Sequence, residues 1–116
     1  MSSHSQYPIS NIPFTQVTIN DKFWSPRIET NRSVTVPYDF QKCEETGRNS
    51  NFAKAAGQME GAHEGIFFND SDVFKVIEGA AYSLMLHPDP KLDAYLDELI
   101  AWIAASQEAD GYLYTA

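Results

Sequence analysis

A single cysteine, Cys43, rules out an internal disulfide and any cluster of thiolates. A lone thiol is in keeping with a reducing compartment. Basic residues are also few: 8 Lys and Arg against 16 Asp and Glu give a formal net charge of −8. Phosphate backbones demand a basic face, so nucleic acid is excluded as a partner. No run approaches the roughly 20 apolar residues that a membrane span needs, so no membrane partner is expected. The opening residues, MSSHSQYPIS, hold neither a basic stretch nor an apolar one. No signal peptide is expected there, and a cytoplasmic location is. Low-complexity tracts, clear repeats, a phosphate loop, a GxSxG elbow and a CxxC pair are all missing.

What remains is a folding composition, with 43% apolar and 13% aromatic residues. That suffices for one domain at most, with a modest core. Residues 1–13 are polar, contain Pro8 and Pro13, and read as a flexible arm. In FTQVTIN (14–20), Val17 and Ile19 alternate with Gln16 and Thr18, which predicts one short β-strand. A lone strand cannot pair its own backbone, and no second strand follows. Its partner sheet is therefore expected outside these 116 residues.

The rest reads as helix. Ser25-Pro26 suits an N-cap followed by proline at the first helical position. Pro37 should interrupt that helix after Val36, a second segment should run through Thr46, and Gly47 should supply a left-handed cap. A short helical turn is expected over 51–56. Residues 57–69, which hold Gly57, Gly61 and Gly65, read as a long loop carrying His63 and Glu64. A longer helix should start near Asp70 or Ser71, either of which can cap it. Its apolar face is Val73, Ile77, Ala80, Ala81 and Leu84. Pro88 ends it, and Asp89-Pro90 starts another whose face is Leu92, Tyr95, Leu96, Leu99 and Ile103, widened by Ile100 and Trp102. The very short link predicts an antiparallel helical hairpin.

Two polar loops flank this hairpin, and they hold the candidate site residues. Asp70 and Asp72 are acceptors for sugar hydroxyls, or else they cap the helix and complement its dipole. Glycosidases place their two catalytic carboxyls about 5–9.5 Å apart, usually on separate elements, so an acid/base pair here is not the reading. Lys75 can pair locally with Ser71 or Asp72. Lys75, Ser71, Glu78 and Tyr82 share a polar stripe whose ordinary role is a solvated face. Gln107, Asp110, Gly111 and Tyr112 form a helix-end turn. Tyr112 and Tyr114 suit stacking on a sugar, or simple packing. His63 and Glu64 lack further nearby histidines for a metal site, and His87 at a helix end suits the helix dipole. Nothing around Cys43 favours a reactive thiolate, so a structural cysteine is expected.

Residues 14–116 resemble the N-terminal part of glycoside hydrolase family 127, the β-L-arabinofuranosidase group. The resemblance rests on FTQVTINDKFW (14–24), ETGRNSNFAKAAG (45–57), GIFFNDSDVFKVIEGAAYSLMLHPDPKLDAYLDELI (65–100) and QEADGYLYT (107–115). DSDVFK and QEADGYL at this separation carry most of the weight; DGYL alone is weaker. The resemblance implies a mainly α fold: the N-terminal segment of an (α/α)6 barrel, whose short strand (14–20) would pair with a β-sandwich formed by later chain. It implies retaining hydrolysis of terminal β-L-arabinofuranosides, or related unusual sugars, of plant glycans.

In such enzymes a zinc-bound cysteine is the nucleophile, with a separate glutamate as acid/base. All of these fall downstream of the residues matched here, and Cys43 corresponds to none of them. No cofactor is therefore expected in this segment, and zinc is expected in a full-length enzyme. Implied partners are the carbohydrate, the remaining barrel and sandwich domains, and a second copy through those later domains. Asp70, Ser71, Asp72 and Lys75 match one family motif, and Gln107, Asp110, Gly111 and Tyr112 match the other. They are expected to shape or support a sugar pocket, with no catalytic residue among them. The alternative is a non-catalytic helical module that binds a carbohydrate or a protein.

Overall fold

A computed structural model describes residues 9–116. The chain is mainly α, as expected. Five α-helices follow in order: α1 (Trp24–Thr30), α2 (Val36–Glu45), α3 (Arg48–Ala55), α4 (Asp70–Leu86) and α5 (Pro90–Ser106). Of the arm expected at 1–13, residues 1–8 lie outside the described residues, and 9–13 are exposed without helix. Five helices cannot by themselves close an (α/α)6 barrel.

The strand expected at 14–20 does not form among the described residues. Phe14–Gln16 instead make a 3-10 turn, in which the Gln16 and Val17 N–H groups bond the Pro13 and Phe14 carbonyls at 2.9 and 3.1 Å. Val17 is extended, with φ −109 and ψ 123. A strand needs a second strand to take its amide groups, and the described chain offers none. Phe14, Val17 and Ile19 line an apolar hollow of about 410 Å³ with Ile28 and Leu86. Phe14 also meets Tyr82 edge to face at 5.4 Å.

The first helix begins one residue earlier than its expected cap. Asp21, not Ser25, takes its free amides: Oδ1 accepts from the N–H groups of Phe23, Trp24 and Ser25. Nor does the helix stop at Pro37. A π turn (Asn31–Thr35) links α1 to α2, and the Val36 N–H reaches back five residues to the Asn31 carbonyl. Pro37 has no N–H for the Ser33 carbonyl, and its ring would strike that carbonyl in a regular α-helix. A widened turn before the proline relieves both problems without breaking the helix. Gly47 then adopts the expected left-handed conformation, φ 75, between α2 and α3. Helix α3 is longer than the turn expected at 51–56.

The core is small and shared by four helices. Val36, Phe40 and Cys43 come from α2, Phe52 and Ala53 from α3, Val73 and Ala80 from α4, and Leu96 and Leu99 from α5. Ile77, Leu84, Leu92, Tyr95, Trp102 and Ile103 pack around them. Full burial of a side chain such as Phe52 or Leu99 contributes about 1.5–3 kcal/mol. Ala81 and Ile100, expected on these faces, are exposed. Helices α4 and α5 touch across the link His87–Asp89, and Asp89 caps α5 by accepting from the Lys91 and Leu92 N–H groups at 3.0 and 3.2 Å. The larger packing partner of α5 is nevertheless α3.

A polar cluster around buried Asn49 ties three helices together. Asn49 of α3 is fully buried and donates to Glu44 Oε1 of α2 at 2.7 Å and to the Tyr95 hydroxyl of α5 at 2.8 Å. Tyr95 donates in turn to the same Glu44 oxygen at 2.7 Å. Burial, then the Glu44 carboxylate, pushes the Tyr95 phenol well above its ordinary value. Elsewhere much apolar surface stays open, including Phe23, Trp24, Val34, Tyr38, Phe67 and Met85. The accessible surface is 8619 Å², against ~6,300 Å² for a compact monomer of this mass.

Candidate functional site

The start of α4 is the centre of the site. Both Asp70 and Asp72 lie in its first turn, where the helix dipole favours carboxylates. Neither caps it. The residue before the helix is Asn69, and it makes no side-chain cap. The preceding turn already satisfies the leading amides: Ser71 N–H bonds the Phe68 carbonyl at 3.2 Å and Asp72 N–H the Asn69 carbonyl at 3.0 Å. The carboxylates are thereby free for longer-range contacts.

Asp70 uses that freedom on the C-terminal segment. Its Oδ2 accepts from the Thr115 N–H at 3.0 Å and its Oδ1 from the Thr115 hydroxyl at 2.6 Å. Asp70 is buried, which suits support of the site more than contact with a sugar. The Thr115 hydroxyl also meets His63 Nδ1 at 3.1 Å, and His63 Nε2 lies 3.3 Å from the Ile66 carbonyl. The loop before α4 is held just as firmly. Buried Asn51 donates to the Glu64 carbonyl and accepts from the Glu64 N–H, both at 2.9 Å. Asn69 donates to the same carbonyl at 3.1 Å. The Glu64 side chain pairs with Lys54 at 2.5 Å, and that cation holds its carboxyl below the ordinary 4.5. His63 and Glu64 thus act through different partners and form no common metal site.

Asp72 faces a different neighbourhood. Arg48 Nε donates to its Oδ2 at 3.0 Å, and Lys75 Nζ stands 3.6 Å from its Oδ1. These groups border a cleft of about 390 Å³ whose polar lining is Asp39, Lys42, Thr46, Arg48, Asp72 and Lys75. Lys75 is 71% exposed and Asp72 40%, so both heads are within reach of a solute. Arg48 holds one carboxylate oxygen and leaves the other edge open. The cleft therefore offers an acceptor beside a cationic donor, a pair suited to vicinal hydroxyls. Ser71 turns away and donates to the Phe68 carbonyl at 3.0 Å. Cys43 also lines the cleft; burial pushes its thiol up, against the pull of Arg48.

The second loop is internally tied. Gln107 Nε2 donates to the Gly111 carbonyl at 2.8 Å, and Asp110 Oδ1 accepts from the Tyr112 N–H at 2.9 Å. Gly111 has φ 93, where a side chain would be strained. Tyr112 is exposed and meets Tyr114 edge to face at 6.2 Å. Among the described residues, no hydrogen bond or ion pair joins Gln107, Asp110 or Tyr112 to Asp72 or Lys75. The bridge between the two loops is Asp70–Thr115.

Sequence reasoning left out Arg48, Thr115, Asn49 and Asn51. One signal was available for the asparagines: they are poor helix formers, and two of them inside one short helix point to side chains engaged elsewhere. Among the described residues, no three His, Cys, Asp or Glu side chains gather as a metal would require. The donors here do not fit a zinc centre.

Comparison with known proteins agrees with this architecture. The sequence pattern of the β-L-arabinofuranosidase GH127 catalytic domain matches residues 16–116. A non-reducing end β-L-arabinofuranosidase of Bifidobacterium longum subsp. longum is 47% identical over 66 residues, which are 57% of this chain and 10% of that protein. The fold superposes on the GH127 β-arabinofuranosidase BT3674 with a TM-score of 0.85 at 52% identity, over 95% of this chain and 18% of the other. A GH127 β-L-arabinofuranosidase from Geobacillus stearothermophilus T6 gives a TM-score of 0.81 at 33% identity, over 84% and 16%. The chain thus spans between a tenth and a fifth of the length of these relatives. With the pattern matched across nearly all of the described residues, the chain belongs to the β-L-arabinofuranosidase family of glycoside hydrolases, GH127.

Proposed function

We propose that this chain is the N-terminal part of a retaining glycosidase barrel that removes terminal β-L-arabinofuranose, or a related unusual sugar, from plant-type glycans. The observation that carries the reading is the Asp72–Lys75 pair. It stands half-exposed at the start of α4, held by Arg48, in a fold shared at 52% identity with a GH127 β-arabinofuranosidase. In this role the segment supplies part of one wall of the pocket. Asp72 accepts from one sugar hydroxyl, Lys75 donates to its neighbour, and Tyr112 offers an aromatic face.

No step of bond cleavage is placed on these residues. The donor set does not fit zinc, and Asp70 and Asp72 are both engaged by protein groups. Nucleophile and acid/base belong, on this proposal, to the remaining barrel. Its helices would also cover the apolar surface left open here.

The test uses the full-length protein and p-nitrophenyl β-L-arabinofuranoside. Nitrophenol should be released, and NMR of the first-formed sugar should show a retained anomer. Asp72→Ala should lower kcat/KM by about tenfold, the loss of roughly one charged hydrogen bond. No turnover of this glycoside, with turnover of another, would move the enzyme to a different sugar. An inverted anomer would remove the retaining mechanism.

A further inference from the structure

We infer that Asn49 is a positioning residue for the cleft at the start of α4: by fixing the first turn of α3 it holds Arg48 against Asp72, and so keeps Asp72 off Lys75 and open to a ligand. The sugar in this inference rests on the glycosidase reading; the placement of Arg48 rests on geometry alone.

Arg48 opens α3, and its Nε crosses to Asp72 Oδ2 of α4, 24 positions on, at 3.0 Å. Among the described residues its guanidinium makes no other hydrogen bond, so its aim depends on where its backbone stands. That backbone has little support of its own. Helix α3 is eight residues long with no side-chain cap, and so short a helix is marginal alone. The joint before it is Gly47, φ 75, the residue type with the widest backbone freedom. The support comes from the neighbour of Arg48. Asn49 is 0% exposed, and its Nδ2 donates to Glu44 Oε1 of α2 at 2.7 Å and to the Tyr95 hydroxyl of α5 at 2.8 Å. Successive helical residues are turned by about 100°, so locking Asn49 toward α2 and α5 aims Arg48 to the side where α4 begins.

The consequence lies at Asp72. Lys75 is its neighbour three positions on, with Nζ 3.6 Å from Oδ1, too far for a hydrogen bond. Arg48 holds the other oxygen, and the two groups stand apart. Released from Arg48, Asp72 would turn onto Lys75, because opposite charges three apart on a helix attract. Acceptor and donor would then satisfy each other, and a ligand hydroxyl would have to break the pair before it could bind. Asn49 thus acts on the cleft through Arg48, without lining it.

The experiment uses the full-length protein with Asn49→Ala, Asp72→Ala and the double variant. The crystal structure of Asn49→Ala should show Arg48 Nε out of hydrogen-bond reach of Asp72 Oδ2. With p-nitrophenyl β-L-arabinofuranoside, Asn49→Ala should raise KM about three- to tenfold with kcat little changed. In the Asp72→Ala background the same substitution should change KM by less than about twofold, because its effect has nothing left to act through. A merely structural loss would add in both backgrounds. If Asn49→Ala fails to fold, Tyr95→Phe removes one of the two anchors, and the same displacement and the same dependence on Asp72 are expected. An intact Arg48–Asp72 bond in the variant would overturn the positioning of Arg48. A displaced Arg48 with unchanged KM, or a KM rise of equal size in both backgrounds, would overturn its role at the cleft. If the parent protein does not cleave the glycoside at all, the glycosidase reading falls, and the place of Arg48 in the variant still decides whether Asn49 sets it.

Discussion

Gly65→Ala, set against Gly57→Ala, tests whether the loop before α4 is a built support or merely a connection. Both glycines have positive φ, +87 and +70, so both substitutions carry the left-handed cost of an L-residue. That cost is about 1–2 kcal/mol, offset by about 0.4–1 kcal/mol from a stiffer unfolded chain. A Cβ at Gly57 meets nothing within 4 Å, so the net cost there should be about 1 kcal/mol. At Gly65 the new Cβ would stand 2.3 Å from Asn69 Nδ2. Asn69 is 2% exposed and cannot swing into solvent. Its amide must leave the Glu64 carbonyl, which adds about 1–3 kcal/mol for a broken buried hydrogen bond. Gly65→Ala should therefore cost about 2–4 kcal/mol in all. Thermal unfolding and hydrogen exchange of the 60–70 segment read the difference. Equal losses for the two variants, or unaltered exchange around Asn69 in Gly65→Ala, would refute the idea that this amide holds the loop.

Other consequences follow from the same geometry. Tyr95→Phe should destabilise by about 1–3 kcal/mol, because it removes the hydroxyl shared by Glu44 and Asn49, and denaturant titration reads it. Tyr95 has a raised folded-state pKa, so its neutral form contributes fully below the ordinary value of 10.0. That contribution fades as pH rises above 10.0, a loss that Tyr95→Phe should not show in an alkaline titration of stability. Glu64 is depressed instead: its pairing with Lys54 is complete above pH 4.5 and is lost as pH falls through the lowered folded value. NMR titration of its carboxyl carbon should place the midpoint below 4.5, and Lys54→Met should return it to the ordinary range. Residues 1–116 produced alone should associate or melt without a sharp transition, given their exposed apolar side chains; a monomeric, cooperatively melting species in sedimentation and calorimetry would contradict this.

The helices were legible because their signals are local. Asp89-Pro90 carries its cap and its first helical position side by side, and both formed as expected. Gly47 likewise needed only its own φ. The misreadings have two causes: a partner distant in sequence or absent, and a local signal with a competing local solution. Val17 and Ile19 alternate as a strand should, yet alternation cannot supply the second strand. Pro37 reads locally as a break, but the five-residue π turn from Asn31 to Thr35 absorbs it. Asp21 was passed over because Ser25-Pro26 matches a cap pattern more closely, although Asp21 reaches three amides at once. The Asp70–Thr115 contact spans 45 residues, and no periodicity encodes it.

The two acids of DSDVFK show why a motif does not reveal how its residues divide their work. Residues two apart on an α-helix differ by about 200° around the axis, so Asp70 and Asp72 cannot face the same partner. The fold uses both directions. Asp70 points to the returning C-terminal segment and is buried there with Thr115. Asp72 points across to Arg48 and keeps an exposed edge beside Lys75. A capping role would have made the pair redundant, with either acid able to serve. Because the preceding turn satisfies the leading amides, neither is needed as a cap, and each is free to take a separate task. On this geometry the acid with an edge open to solutes is Asp72, while Asp70 fixes where the second motif stands relative to it.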